Sequence, residues 1–414
     1  MAATAVNDSL TENTDTTSGA VFATVTIDPI EAGDDIASAQ LTLGGGIANS
    51  DTLTINGTAI TGLGSNSSGA ISGGHSYNYT QATGVVTINF AGGTNAAAAE
   101  LVLESITYSI DPADQNPSTI ARTITLNTVT DNGGGSDTSS DIGETATISV
   151  GAVNDNPTNA GSLPSDISVT EDVSSNIDLS AIDFADVDAA SGTLTVTLTT
   201  STGGDLSAAA GTGITIGGTS TALTLTGTLS DLNNYFNTAS NITYLHGTAN
   251  TNGNDADTIN VTINDNGNTG SGGGTNINLG TVNVDIAAVN DDPSNAGSLP
   301  SDISVTEDVS SNVDLSAVDF ADVDAASGTL TVTLTTSTGG DLTAAAGSGI
   351  TIGGTSTART LTGTLTDLNN YFNTASNITY LHGTTNTAGN DADTINVTIN
   401  DNGNTGTGGG TRAC

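Results

Sequence analysis

The chain has 414 residues and a formal net charge of −41 at pH 7, because 44 Asp and Glu side chains stand against three Lys and Arg. Such an acidic surface excludes binding to nucleic acid or to anionic lipid, which requires a basic patch. A single cysteine, Cys414, excludes an internal disulfide framework, and no apolar stretch approaches the length of a membrane span.

The first predicted helix lies at residues 94–103, an alanine-rich stretch with apolar residues at helical spacing. Further along, Leu194, Val196 and Leu198 alternate with threonines and predict a half-buried strand. The strands expected in this middle part of the chain are residues 167–170, 193–200, 213–216, 222–226, 241–246, 258–264 and 277–286.

A second helix is expected at residues 228–237, within this run of strands. Leu229, Leu232 and Phe236 recur there at helical spacing, and Thr228 or Ser230 can cap the first turn. Short alternating strands, frequent turn signals and one helical segment predict an all-β protein built from antiparallel β-sandwiches. The glycine runs at residues 272–274 and 408–410 are interpreted as flexible loops.

A long internal repeat sets the organisation of the chain. Pro164 recurs as Pro300 and Glu171 as Glu307, each at an offset of 136, and only about nine positions differ between residues 160–275 and 296–411. A divergent third copy precedes them. A unit of this length matches an independent domain, so we expect three tandem units at residues 1–152, 153–288 and 289–414.

Two details of the repeat lead to further expectations. The chain stops before a counterpart of residues 277–286, so we expect the third unit to lack its last strand and to present an unpaired strand edge. The start of the chain has no signal peptide, and we expect the chain to be a segment of a longer protein. Leu223 is replaced by Arg359 in the third unit, which predicts a position near a strand end.

Acidic and amide side chains recur in phase with the repeat. Strand ends gather at the poles of a sandwich, so these groups are expected to meet at two joints, the linkers at residues 153–157 and 289–293. For the first joint the candidates are Glu12, Asn154, Asp155, Asn156, Asp186, Asp188 and Asp265. For the second joint they are Glu171, Asn290, Asp291, Asp292, Asp322, Asp324 and Asp401.

Carboxylate, amide and main-chain oxygens are the ligands that calcium prefers, so calcium is the expected cofactor at these joints. Several carboxylates at one joint repel one another unless a cation lies between them. The alternative interpretation is that Asp, Asn and Gly serve here only as turn residues. The histidines His75, His246 and His382 have no neighbouring Cys or second His in sequence, which argues against zinc.

The linker sequences V-N-D-N-P and V-N-D-D-P, the D-V-D motif at residues 186–188 and the glutamates at positions 12 and 171 resemble the cadherin-like repeats of bacterial giant adhesins. The resemblance covers essentially the whole chain. It implies Greek-key sandwiches of the cadherin and immunoglobulin type, with calcium bound between successive domains. Tyr244, Leu245 and His246 stand where an acidic motif would be expected, so one or two ions per joint are expected.

These observations predict a non-enzymatic, calcium-stiffened extracellular segment, a stalk or spacer of a large bacterial surface adhesin or secreted matrix protein. Its partners would be further repeats of the same or a longer chain, and a cell-surface or matrix polysaccharide or protein. One alternative is a subunit of an extracellular filament or sheath that assembles end to end by strand exchange. A polysaccharide-binding module is another, although such a module needs exposed aromatic residues and the chain has few.

Overall fold

The computed structural model describes residues 1–28, 33–133, 142–246, 250–382, 388–404, 406–408 and 410–414. Its buried apolar side chains form three separate clusters, within residues 10–150, 167–286 and 313–399. We call the parts of the chain that surround these clusters the first, second and third units. The chain is all-β, and each unit carries one short helix among the described residues.

The elements of the first unit surround the first apolar cluster. They are β1 (Ala2–Ala5), β2 (Asp8–Thr11), β3 (Phe22–Thr26), β4 (Ile36–Gly45), β5 (Thr52–Ile55), β6 (Thr58–Ile60), β7 (Ser67–Ile71), β8 (His75–Thr80), β9 (Val85–Asn89), α1 (Ala96–Glu104), β10 (Thr107–Ser109), β11 (Arg122–Asp131) and β12 (Glu144–Gly151). Its large sheet has the order β2-β12-β11-β4-β9-β8-β7.

The second unit contains two facing sheets, ordered β14-β23-β22-β17-β20-β19 and β15-β21-β18. Its elements are β13 (Thr158–Asn159), β14 (Asp166–Thr170), β15 (Ser175–Asn176), β16 (Phe184–Ala185), β17 (Thr193–Thr200), β18 (Gly204–Ala208), β19 (Thr215–Thr219), β20 (Ala222–Thr228), α2 (Leu229–Phe236), β21 (Ile242–His246), β22 (Gly253–Asn264) and β23 (Ile277–Ala287).

The third unit repeats most of this arrangement. Its elements are β24 (Val289–Asn290), β25 (Ser294–Asn295), β26 (Ser311–Asn312), β27 (Phe320–Ala321), β28 (Thr329–Thr336), β29 (Asp341–Ala344), β30 (Thr351–Gly354), β31 (Ala358–Thr364), α3 (Leu365–Phe372), β32 (Ile378–Leu381), β33 (Ile395–Asn400), β34 (Thr407–Gly408) and β35 (Thr411–Ala413).

The alternating sequence of β17 determines which of its faces is buried. Leu194, Val196 and Leu198 are fully buried, while the threonines between them face outward. Because side chains alternate across a strand, one apolar face per strand is enough to close a sandwich.

Helix α2 begins as predicted, since the Thr228 hydroxyl accepts a hydrogen bond from the backbone N–H of Asp231 at 3.2 Å.

The all-β sandwich fold is as expected, but the strands differ in three details. The sandwich is not purely antiparallel, because β14 pairs in parallel with β23, and β2 pairs in parallel with β12. The strand expected at residues 213–216 is formed as β19, which begins two residues later and ends at Thr219. Strand β18 was not predicted, because its sequence, Gly-Asp-Leu-Ser-Ala, combines turn-forming residues with a single large apolar residue.

The third unit ends in a short strand, β35, at the place where the last strand of the second unit begins. Strand β35 pairs with β33 through Thr398 and Ala413, Ile399 and Arg412, and Asn400 and Thr411. The first strand, in contrast, is not formed at residues 303–306. Val305 is 43% exposed there, whereas the equivalent Val169, which lies in β14 and pairs with Ile286 of β23, is 5% exposed. The side chain of Val305 is therefore exposed on this side of the third unit.

Leu223 and Arg359 lie at the second position of β20 and β31, which agrees with the expected position near a strand end. The Arg359 guanidinium donates to the carbonyl oxygen of Leu342 from Nη2 at 2.9 Å. It also donates from Nη1 to the carbonyl oxygen of Gly353 at 3.3 Å. Backbone acceptors at the strand end therefore satisfy a charge that the apolar interior could not accommodate.

Candidate metal centres at the joints

At the first joint, a buried glutamate of the first unit meets the linker. Glu12 is 1% exposed, and its Oε2 accepts a hydrogen bond from the backbone N–H of Val153 at 2.9 Å. Its own N–H donates to the carbonyl oxygen of Gly151 at 3.1 Å. The parallel pairing of β2 with β12 brings the end of β2 beside the end of β12, the last strand of the first unit. Glu12 therefore lies at the point where the chain leaves the first unit.

Linker residues connect this glutamate to the second unit. The N–H of Asp155 donates to Asp188 Oδ2 at 3.0 Å, and the Asn154 side-chain amide donates to the carboxylate of Asp265. Asp186 Oδ1 accepts from the N–H groups of Asp188 and Ala189 at 3.2 and 3.1 Å. The joint thus brings together residues from four distant stretches of sequence.

The second joint repeats these contacts. The N–H of Asp291 donates to Asp324 Oδ2 at 2.9 Å, and the Asn290 amide donates to the carboxylate of Asp401. Glu171, 1% exposed, accepts from the N–H of Val289 at 3.3 Å. Of the remaining candidates, Asp322 Oδ1 caps the loop through the N–H groups of Asp324 and Ala325. Asn156 and Asp292 are exposed, so the structure places these two at the rim of their joints.

Several side-chain oxygens at the joints are buried but lack a partner. At the first joint these atoms, which have no hydrogen-bond partner among the described residues, are Glu12 Oε1, Asn154 Oδ1, Asp155 Oδ2, Asp186 Oδ2 and Asp188 Oδ1. The second joint also has buried oxygens without a hydrogen-bond partner among the described residues: Glu171 Oε1, Asp291 Oδ2 and Asp322 Oδ2. A buried oxygen without a partner is costly, and a bound cation is one partner that carboxylate and amide oxygens accept.

Burial and mutual repulsion raise the pKa of several joint carboxylates. Burial, followed by interaction with Asp188, raises the pKa of Asp186 to about 6. Burial and the neighbouring Asp324 raise the pKa of Asp322 to about 7. Burial also raises the pKa of Glu12, and the nearby Asp155 and Asp188 add to this effect. The negative charges at each joint therefore destabilise one another when no cation lies between them.

Asp265 behaves in the opposite way. Burial opposes its ionisation, but hydrogen bonds from Asn154, Gly267 and Gly274 outweigh burial and lower its pKa. The glycine run at residues 272–274, interpreted from sequence as a flexible loop, contributes directly to this. Gly274 donates its N–H to Asp265 Oδ1 at 3.0 Å, and Gly273 adopts a φ of +75°. A Cβ on Gly273 would lie 2.4 Å from Asn154 Cγ, so only glycine fits there.

Another acidic group was not singled out from the sequence. Carboxylate oxygens of Asp166, Asp255 and Asp285 lie within 4.8 Å of one another on the second unit. No three carboxylates at the joints approach this closely in the described parts of the chain. Asp166 and Asp255 are exposed, however, whereas Glu12 and Asp188 at the first joint are nearly fully buried. Buried carboxylates have the greater need of a cation.

Comparison with known proteins shows only distant similarity. No protein-family model matches the sequence, and no curated protein matches it. Among solved structures, the chain is similar to mouse protocadherin-24 EC1-3, with 12% identity, 98% of this chain and 93% of that chain covered, and a TM-score of 0.28. It is also similar to mouse cadherin-23 EC22-24, with 11% identity, coverage of 99% and 94%, and a TM-score of 0.29.

A tandem of titin domains, I9-I11, is similar over 100% of this chain and 96% of that chain, with 7% identity and a TM-score of 0.15. These low TM-scores mean that the structures superimpose poorly, so they carry no argument about the joints. The assignment of the fold rests instead on the three apolar cores and the strand pairing. Within the described residues, no helix is long and apolar enough to cross a membrane.

Proposed function

We propose that this chain is a non-enzymatic, calcium-stiffened segment of an extracellular surface or matrix protein, in which calcium at the two joints fixes successive units in line. The observation that carries this proposal is the group of buried joint oxygens without hydrogen-bond partners, exemplified by Glu12 Oε1 and Asp188 Oδ1. All of these atoms are carboxylate or amide oxygens, the donor set that hard cations such as calcium prefer.

The charge balance of the joints supports a cation as the missing component. The structure forms one ion pair among the described residues, between Arg122 and Asp51 in the interior of the first unit. No described basic side chain forms an ion pair with a joint carboxylate. Calcium would therefore replace mutual repulsion of carboxylates by attraction, which draws the linker, the glutamate and the D-V-D loop together.

The connection to mechanics follows from where the ligands come from. Glu12 belongs to the first unit, Asp155 to the linker and Asp186 to the second unit. An ion bound by all three would restrict rotation about the linker, because any bend would lengthen at least one bond to the metal. Repetition of the joint would then give stiffness along the chain. A stalk or spacer at the cell surface, as in bacterial adhesins, is the role that this property suits.

Calcium titration of matched variants tests this proposal. Asp186→Asn should remove calcium binding at the first joint and Asp322→Asn at the second, each lowering the measured stoichiometry. Asp183→Asn, three residues before Asp186 but exposed, should bind calcium like the unaltered chain. Isothermal titration of the chelator-treated chain provides the measurement. Equal binding by all variants, or no heat of binding in the unaltered chain, would contradict the proposal.

A further inference from the structure

Two asparagines of the second unit form a chain of hydrogen bonds that reaches the third unit, and the contact with the third unit does not involve a carboxylate. Asn250 Nδ2 donates to the carbonyl oxygen of Val323 at 2.6 Å. Val323 is the central residue of the D-V-D loop, whose flanking residues are Asp322 and Asp324. Asn250 therefore holds the backbone of the loop that supplies candidate ligands to the second joint.

The second asparagine links this contact to the buried glutamate. Asn252 Nδ2 donates to Asn250 Oδ1 at 2.9 Å and to Glu171 Oε2 at 3.2 Å. The result is a relay of hydrogen bonds from Glu171 through Asn252 and Asn250 to Val323. Asn250 also adopts a φ of 61°, a left-handed conformation that asparagine tolerates better than most residues.

An analogous contact exists at the first joint, formed from a different position. Asn116 Nδ2 donates to the carbonyl oxygen of Val187, the central residue of the first D-V-D loop, at 3.2 Å. Asn116 lies eight residues after Tyr108, whereas Asn250 lies six residues after the equivalent Tyr244. Two non-equivalent loops thus place a side-chain amide on the same carbonyl group, which indicates that the contact serves the joint rather than the loop.

We propose that Asn250 and Asn252 are positioning residues that align the third unit on the second without a cation; the inference rests on the proposed function, because it concerns the same joint. Amides carry no charge, so their contacts persist when calcium is removed and the carboxylates repel one another. The relay would keep Glu171 and the D-V-D loop near their bound positions, so that calcium closes a joint that is already aligned.

The repeat supplies a matched substitution. Position 388 of the third unit, equivalent to Asn252, is an exposed alanine, so the fold accepts alanine there. Asn252→Ala should therefore fold while losing the relay. Asn250→Gly removes the second amide without straining the left-handed backbone. Asn254→Ala is the control, because the Asn254 amide donates to Asp255 on an exposed surface.

The test measures the distance across the second joint in the full-length chain. Spin labels at Thr199→Cys and Thr335→Cys, both exposed positions, report the distance distribution by pulsed electron resonance after Cys414→Ser. In chelator, Asn250→Gly and Asn252→Ala should each raise the population outside the main peak about fivefold or more, because each removes two hydrogen bonds of the relay and loss of one alone corresponds to about fivefold. Asn254→Ala should leave it unchanged.

The outcomes separate this inference from the proposed function. A broader distance distribution of both relay variants in chelator supports the relay. If calcium fails to sharpen the distribution of the unaltered chain, that result contradicts only the calcium proposal. Distributions in chelator that are the same for the relay variants, the control and the unaltered chain would overturn the relay. If Asn252→Ala melts at a lower temperature than the control, the result of Asn250→Gly decides.

Discussion

Glu171 and Glu307 occupy equivalent positions in two nearly identical units, but Glu171 is 1% exposed whereas Glu307 lies on the surface. The N–H of Glu171 donates to the carbonyl oxygen of Ala287 at 2.9 Å, and its carboxylate accepts from Val289. The strand and linker that follow a unit are therefore what bury its glutamate. This pair offers a test in which the same substitution is made in two environments.

Glu171→Gln should reduce the stabilisation that calcium gives, whereas Glu307→Gln should leave it unchanged. A ligand that binds only the folded state stabilises by about 2.7 kcal/mol at a hundredfold excess over its Kd. The Glu171→Gln variant should lose most of the stabilisation that calcium binding at the second joint provides. Thermal melting with calcium and with chelator measures the difference. Equal effects of the two substitutions would show that burial at the joint has no bearing on calcium binding.

The raised pKa values of Asp186, about 6, and Asp322, about 7, predict how calcium binding depends on pH. A carboxyl with a raised pKa binds its proton more tightly in the folded chain than in the unfolded chain. Its ionisation therefore destabilises the calcium-free chain as the pH rises from about 4 through 6 to 7. Calcium binds the ionised form, so its affinity should fall as the pH drops below this range.

Titration calorimetry checks this dependence. Calcium binding near pH 6 should release protons, and the observed heat should therefore vary between buffers that differ in ionisation enthalpy. At a pH well above 7 this variation should disappear. The Asp186→Asn and Asp322→Asn variants serve as controls, since each removes one group that titrates. Heats independent of the buffer near pH 6 would contradict the assignment of the shifted groups to the binding site.

A separate prediction concerns the interior of the second unit. Asp257 is 1% exposed and accepts hydrogen bonds from the Ser201 hydroxyl at 2.7 Å and the Tyr244 hydroxyl at 2.8 Å. Burial opposes its ionisation, but these bonds and the N–H groups of Thr202 and Thr258 outweigh burial and lower its pKa to about 2. The stability this gives is fully present above the unfolded pKa of about 3.9 and is lost as the pH falls through 2.

Asp257→Asn should therefore destabilise the second unit at neutral pH by about 1–3 kcal/mol, the usual cost of disrupting a buried hydrogen-bonding group. The variant should also be less sensitive to acid between pH 4 and 2. Hydrogen exchange followed by mass spectrometry localises the effect to peptides of the second unit. Asp166→Asn, on the surface, is the control. Unchanged exchange in Asp257→Asn would mean that the network does not stabilise the unit.

In the first unit an arginine replaces this buried aspartate. Arg122 is the first residue of β11, and Asp257 stands at the equivalent place, just before the apolar part of β22. Arg122 is fully buried, and its Nε lies 3.5 Å from Asp51 Oδ2. The Tyr108 hydroxyl, equivalent to that of Tyr244, donates to Asp51. The first unit thus keeps the tyrosine and the carboxylate, but the carboxylate comes from Asp51, the residue before β5.

Arg122→Met should destabilise the first unit by about 3–5 kcal/mol, because it leaves the carboxylate of Asp51 buried without its partner. Arg412→Met is the control, since Arg412 is exposed on β35. Hydrogen exchange of first-unit peptides gives the readout, as the three units need not unfold together. Similar exchange in the two variants would contradict a structural role for the Arg122–Asp51 pair.

Sequence patterns with a clear physical period were the most informative. Leu194, Val196 and Leu198 predicted β17 because alternation maps directly onto burial. Thr228 was identified as one of two possible caps because its hydroxyl can accept the first free N–H of a helix. The parallel pairing of β14 with β23 could not be predicted, since the two strands are separated by more than a hundred residues and a strand sequence does not encode its neighbour.

The joints were predicted only in part, for a related reason. Candidates such as Asp186 and Asn154 recur in phase with the repeat, and the structure brings them to the same joint. Asn116 and Asn250 contact these joints from non-equivalent loop positions, so the repeat gave no signal for them. The contribution of Gly273 was also missed, because a glycine run indicates conformational freedom without showing which side chain packs against it.

The most direct test of calcium-dependent stiffness is small-angle scattering of the full-length chain at several calcium concentrations. The account predicts that adding calcium to the chelator-treated chain lengthens the maximum dimension and narrows the range of shapes needed to fit the profile. A chain carrying both Asp186→Asn and Asp322→Asn should keep the calcium-free profile at the same calcium concentrations. Superimposable profiles of the unaltered chain with calcium and with chelator would contradict the central claim.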